Sequence, residues 1–60
     1  MAASYFVRAH VDGATVDSAP YPDLATAQSA AHDTVMRGVW LGTRLYPPQA
    51  IVFVELMVVQ

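Results

Sequence analysis

Residues 50–59, Ala-Ile-Val-Phe-Val-Glu-Leu-Met-Val-Val, form an almost unbroken β-branched and apolar run in which Glu55 is the single charge. A helix that crosses a bilayer needs about 20 apolar residues, so this run is too short for one, and its valine content predicts a buried strand. The strand has two faces, and the rest of the chain must supply what covers them. Val52, Val54, Leu56 and Val58 fall on one face; Ile51, Phe53, Glu55 and Met57 fall on the other. A carboxylate is costly to bury unpaired, so the Glu55 face is expected to lie away from any packed helix.

Upstream, residues 5–11 alternate, with Tyr5, Val7, Ala9 and Val11 on one side and Phe6, Arg8 and His10 on the other. Asp12-Gly13 follows at once, a signal for a two-residue type I′ hairpin turn. The implied register pairs Val11 with Ala14, His10 with Thr15, Ala9 with Val16, Arg8 with Asp17 and Val7 with Ser18. Arg8 and Asp17 then make a cross-strand ion pair. Pro20 and Pro22 are expected to break the second strand, because neither can donate a ladder hydrogen bond.

A helix is expected next, with Asp23 as N-cap, Arg37 in the last turn and Gly38 just past the end. Leu24, Ala27, Ala31, Thr34, Val35 and Gly38 recur at helical spacing and make the expected inward stripe; Thr26, Ser29, His32, Asp33 and Arg37 face water. Residues 39–46 leave two readings open, a short hairpin turning at Gly42 or a packed loop. Tyr46-Pro47-Pro48 is extended and delivers the chain into the last strand.

These elements predict one small α+β domain over residues 1–60, in ββαβ order. Its three-stranded antiparallel sheet carries the helix on one face, with the optional extra hairpin at 39–46. With Tyr46-Pro47-Pro48 leading into Ile51, the chain resembles a loose group of short uncharacterised bacterial and phage proteins: a hairpin, an alanine-rich helix, and a Tyr-Pro-Pro-led final strand. That resemblance implies no activity and no functional residue. The element order is also similar to the ββαβ core of HicB-type antitoxins, although the DNA-binding segment such antitoxins append is not expected within these 60 residues.

A domain of this length removes only about 60% of its unfolded surface from water. Cysteine is absent, and His10 and His32 lack metal-ligand spacing, so neither a disulfide nor a metal is expected to staple it. The chain is 55% hydrophobic and 13% charged, more apolar surface than one small copy can hide, and self-association as a homodimer is the expected remedy. The outer sheet face is expected to present an apolar centre with a polar border, and Phe6, Ile51, Phe53 and Met57 are the expected interface residues. Whether copies meet through that face or through an edge strand stays open.

Net charge is −2, lysine is absent, and Arg8, Arg37 and Arg44 sit in three separate segments. Clustered cations drive binding to a phosphate backbone, so nucleic acid is not an expected partner. The first residues lack a basic segment followed by an apolar one, and with no secretory signal or membrane span the expected location is cytoplasmic.

No catalytic, cofactor or metal site is expected. His10 and Asp12 share a side of one strand, but a turn aspartate normally bonds its own backbone; His32 and Asp33 point about 100° apart on a helix. Ser4, Ser18 and Ser29 sit in no nucleophile-elbow pattern, and no glycine-rich phosphate loop occurs. The length is similar to that of the very small tautomerases, whose base is an N-terminal proline, but Ala2 stands in that place. The expected function is therefore that of a non-enzymatic, self-associating protein. The alternative is an accessory or antitoxin-like subunit that binds a different protein, and a third reading assembles an enzyme site around His10 or His32 across a dimer interface.

Overall fold

Asp12-Gly13 sets the first part of the fold. In the computed structural model, which describes residues 3–60, strand β1 (Ser4–Val11) turns there into β2 (Ala14–Asp17). Arg8 pairs with Asp17, Ala9 with Val16, His10 with Thr15 and Val11 with Ala14, which is the expected register. The turn type differs from expectation. Type I′ requires positive φ at both central residues, but only Gly13 has it, at 76°, while Asp12 keeps a negative φ and the pair shows the sign pattern of type II. The two-residue length is common to both turns, so the register is unaffected.

The prolines do not break the pairing as cleanly as expected. Ser18 N–H donates to the Val7 carbonyl at 2.9 Å, and the chain then slips by one residue, so that Tyr21 exchanges backbone hydrogen bonds of 3.0 and 2.6 Å with Tyr5. Tyr21 retains the N–H that Pro20 and Pro22 lack, and one donor is enough for an isolated bridge.

Helix α1 (Leu24–Arg37) begins on Asp23, whose carboxylate accepts the Thr26 N–H at 2.9 Å and the Thr26 hydroxyl at 2.8 Å. Gly38 closes it, with φ 91° and its N–H donating to the Thr34 carbonyl at 2.9 Å. Only glycine fits there, because a Cβ would overlap the Tyr46 carbonyl oxygen and crowd Pro47. Ala27 is buried and Ala30, Ala31 and Thr34 are half-buried, whereas Leu24 and Val35, expected in the inward stripe, remain largely exposed. An alanine-lined helix approaches the sheet closely along a narrow line, and longer side chains on its flanks pass beyond the contact.

Residues 39–46 form the hairpin, with β3 (Val39–Leu41) antiparallel to β4 (Arg44–Tyr46) and Gly42, at φ 62°, in the two-residue turn. A single 3-10 turn over Pro48–Ala50 leads into β5 (Ile51–Val59), which pairs antiparallel with β1, so the main sheet has the order β2-β1-β5. The architecture is thus α+β, one helix on a three-stranded antiparallel sheet with a small second hairpin. No helix among the described residues is long and apolar enough to cross a membrane.

The core is thin. Val7, Ala9, Val11, Val16 and Ala27 are its buried apolar residues, and no large side chain among the described residues is fully buried. A cavity of about 120 Å³ remains between sheet, helix and hairpin, lined in part by Val7, Val16, Thr34, Val39 and Trp40. Trp40 lines this cavity from the hairpin yet is 62% exposed, so it does not close it.

Candidate functional site: the outer sheet face and the β5 edge

The pairing of β1 with β5 sets the outer face, away from the helix. Ser4 lies opposite Val59, Phe6 opposite Met57, Arg8 opposite Glu55 and His10 opposite Phe53. Across the middle of this face runs a polar row. Arg8 binds Asp17 through two hydrogen bonds, Nε to Oδ1 at 2.8 Å and the second guanidinium nitrogen to Oδ2 at 3.1 Å. Those bonds hold the Asp17 carboxyl below its ordinary range and raise the Arg8 guanidinium above its own. His10 reaches diagonally to Glu55, with Nε2 2.5 Å from Oε1, and its ring stacks on Phe53 with centroids 4.0 Å apart and planes inclined by 15°.

The expected apolar centre is therefore corrected. Polar groups occupy the middle, Phe6 and Met57 lie on one side of them, and Phe53 lies on the other. The Arg8 guanidinium also sits 5.3 Å from the centre of the Phe6 ring. A shallow depression of about 320 Å³ opens beside Phe6, between Pro20 and Val59.

Ile51 is corrected as well. The register shifts between His10 and Val11, so that Val11 pairs with Ile51 while His10 pairs with Phe53. Val52 becomes the extra residue of a β-bulge, 70% exposed, and Ile51 lines up with buried Val11 rather than with Phe53. Of the four expected interface residues, Phe6, Phe53 and Met57 share the outer face, and Ile51 leaves it.

The two edges of the sheet differ. The β2 edge is four residues long and runs into Pro20 and Pro22, which blunt it. The β5 edge is nine residues long, contains neither proline nor lysine, and carries exposed apolar side chains on both faces. Phe53 and Val59 are 52% and 48% exposed on the outer side, and Val58, opposite Tyr5 on the helix side, is 53% exposed.

The face carries a histidine–carboxylate pair that the sequence reading missed, because it matched His10 with Asp12 on the same strand. The diagonal to Glu55 follows once Arg8 is known to face Glu55, and that register joins residues 45 positions apart. Glu55 can orient the imidazole through this contact, but neither described depression is lined by His10 or Glu55. Ser18 is spent locally, its Oγ accepting the Val7 N–H and donating to the Ala19 carbonyl, both at 2.9 Å. His32 stays exposed on the helix, and no cluster of three or more metal-ligating side chains occurs among the described residues. Ala2, the position of a tautomerase-type base, lies outside the described residues. The arginines are held locally as well: Arg8 by Asp17, Arg37 by Asp33 at 3.0 Å, and Arg44 over the Tyr46 ring at 4.8 Å. Comparison with family models, with curated proteins and with solved structures found no match.

Proposed function

We propose that this chain is a non-enzymatic protein that works by self-association, as a dimer joined on the β5 side of its sheet. The observation that carries the reading is the mismatch between core and surface. Among the described residues five small or medium apolar ones are buried, while Leu24, Val35, Met36, Trp40, Phe53, Val58 and other large apolar residues stay exposed. A single copy this small gains little from such a core, and burial between two copies is the remaining source of hydrophobic stabilisation in a chain without cysteine. The local pairing of its arginines supports reading it as a protein-binding rather than a polyanion-binding surface.

Sedimentation equilibrium over a wide concentration range tests this. The expected result is a two-chain mass that dissociates on dilution together with loss of folded signal. A well-folded single-chain species at the highest concentration would remove the reading.

A second reading, an accessory or antitoxin-like subunit for a different protein, draws on the β3–β4 hairpin, where exposed Trp40 and Leu45 lie opposite each other. It predicts that the chain alone stays single-copy and that Trp40 fluorescence shifts to shorter wavelength only in the presence of the partner.

A further inference from the structure

We infer that the partner is a second copy of this chain added strand to strand, β5 against β5 and antiparallel about a two-fold axis at Leu56, giving the continuous order β2-β1-β5-β5-β1-β2. The inference rests on the self-association reading and names the geometry of that contact. Exposure on both faces of one strand carries it. A partner stacked on the outer face would cover Phe53 and Val59 but could not reach Val58 on the helix side. A strand laid alongside places neighbours next to all three. The central strand β1, flanked on both sides, shows no such exposure: Val7 and Ala9 are buried and Phe6 is half-buried.

The backbone is in phase for this pairing. Tyr5 exchanges hydrogen bonds with Tyr21, and the Val7 carbonyl accepts from Ser18, so odd-numbered residues of β1 direct their N–H and C=O groups toward β2. By the alternation of an antiparallel ladder, Phe6 and Arg8 direct theirs toward Met57 and Glu55. On β5 the polar groups of Val54, Leu56 and Val58 are then the ones that face the open edge.

The position of the axis follows from charge and from the bulge. Side chains must stay on matching faces, so the axis passes through a residue. At Glu55 it would set two carboxylates directly opposite each other, which is destabilising. At Val54 the pairing would run through the Val52 bulge, where the strand bends away from regular pairing. At Met57 only residues 55–59 would pair within β5, whereas at Leu56 the longer span pairs Phe53 with Val59, Val54 with Val58 and Glu55 with Met57, all within its regular part. The segment is complementary to itself there, with no like charges opposed.

Two measurements test it. Val58→Pro removes an edge-facing N–H while sparing the β1–β5 ladder, as proline is tolerated where the N–H of an edge strand faces outward. The expected result is a fall from the two-chain to the one-chain mass in sedimentation equilibrium. Retention of the two-chain mass would place the contact elsewhere and overturn the strand pairing while leaving self-association standing. A wild type that is itself single-copy would overturn both. Should Val58→Pro fail to fold, a cysteine pair decides in a chain that has no native cysteine. Opposed residues of a non-hydrogen-bonded pair have Cβ atoms close enough for a disulfide. A mixture of Glu55→Cys and Met57→Cys chains is expected to crosslink on mild oxidation, and neither variant is expected to do so alone. Crosslinking of either variant by itself would overturn the axis at Leu56, and no crosslinking in the mixture would overturn the pairing.

Discussion

The imidazole of His10 lies flat on the ring of Phe53, 4.0 Å between centroids, while its Nε2 meets the Glu55 carboxylate at 2.5 Å. Two strands that approach from opposite ends of the chain are thus joined on the outer face by one aromatic and one polar contact. Phe53 keeps its far side open, and that side lies on the unpaired edge.

Replacing Phe53 with Asp adds a carboxylate beside Glu55 and removes the ring from the open edge. Light scattering is expected to show the one-chain mass or an unfolded chain, while Phe53→Leu keeps the association. A stable Phe53→Asp protein with hydrodynamics unchanged from wild type would count against the proposed function.

Gly38→Ala is expected to destabilise the fold by at least about 1–3 kcal/mol from the positive-φ backbone alone. The overlap of its Cβ with the Tyr46 carbonyl adds to that, because backbone atoms cannot rotate away. Urea unfolding at fixed protein concentration measures the loss. An unchanged midpoint would show that the helix-to-hairpin connection is not tight.

The fissure between sheet, helix and hairpin offers room for one more methylene. Val16→Ile extends into the 120 Å³ cavity and is expected to stabilise by about 0.5–2 kcal/mol. Ala27→Leu, on the closed side of the helix contact, is expected to destabilise by about 1–3 kcal/mol through overpacking. If the two shifts in unfolding midpoint had the same sign, the packing described for this layer would be wrong.

Acid is expected to weaken the fold through two aspartates. Hydrogen bonds from Arg8 hold Asp17 below the ordinary value of 3.8, and the Thr26 backbone N–H, helped by its hydroxyl, does the same for Asp23. Because both folded-state values are depressed, each group contributes stability that is fully present above 3.8 and is lost as pH falls from there through the folded value. Asp17→Asn and Asp23→Asn should each flatten the acid limb of a plot of urea midpoint against pH. Limbs as steep as that of the parent would remove these two groups as the cause.

Features that depend on a few adjacent residues were legible in the chain. Asp12-Gly13 determined a two-residue turn and with it the Arg8–Asp17 register, Asp23 and Gly38 bracketed the helix, and the valine-rich run from Ile51 became a strand. The turn subtype was not legible: strand twist favours a primed turn in a two-residue hairpin, yet Asp12 keeps the negative φ ordinary for a residue with a Cβ and leaves the positive φ to Gly13 alone. The flanks of the helix were misjudged as well. Periodicity names the side of α1 that turns inward, but the width of the contact depends on how closely its alanines approach the sheet, and that left Leu24 and Val35 in the open.

Local chemistry by itself therefore determined which segments form strands, helix and turns, since spacing, caps and turn residues act over a handful of positions. Only the tertiary structure decided how β5 lies against β1. The bulge at Val52 sends Ile51 to the side of Val11, and the resulting register brings Glu55 to His10 and builds a polar row where an apolar centre was expected. The physical reason is that strand register is a sum over many weak cross-strand pairs between residues far apart in sequence, and a single inserted residue changes which side chains are neighbours without altering the pattern of either strand.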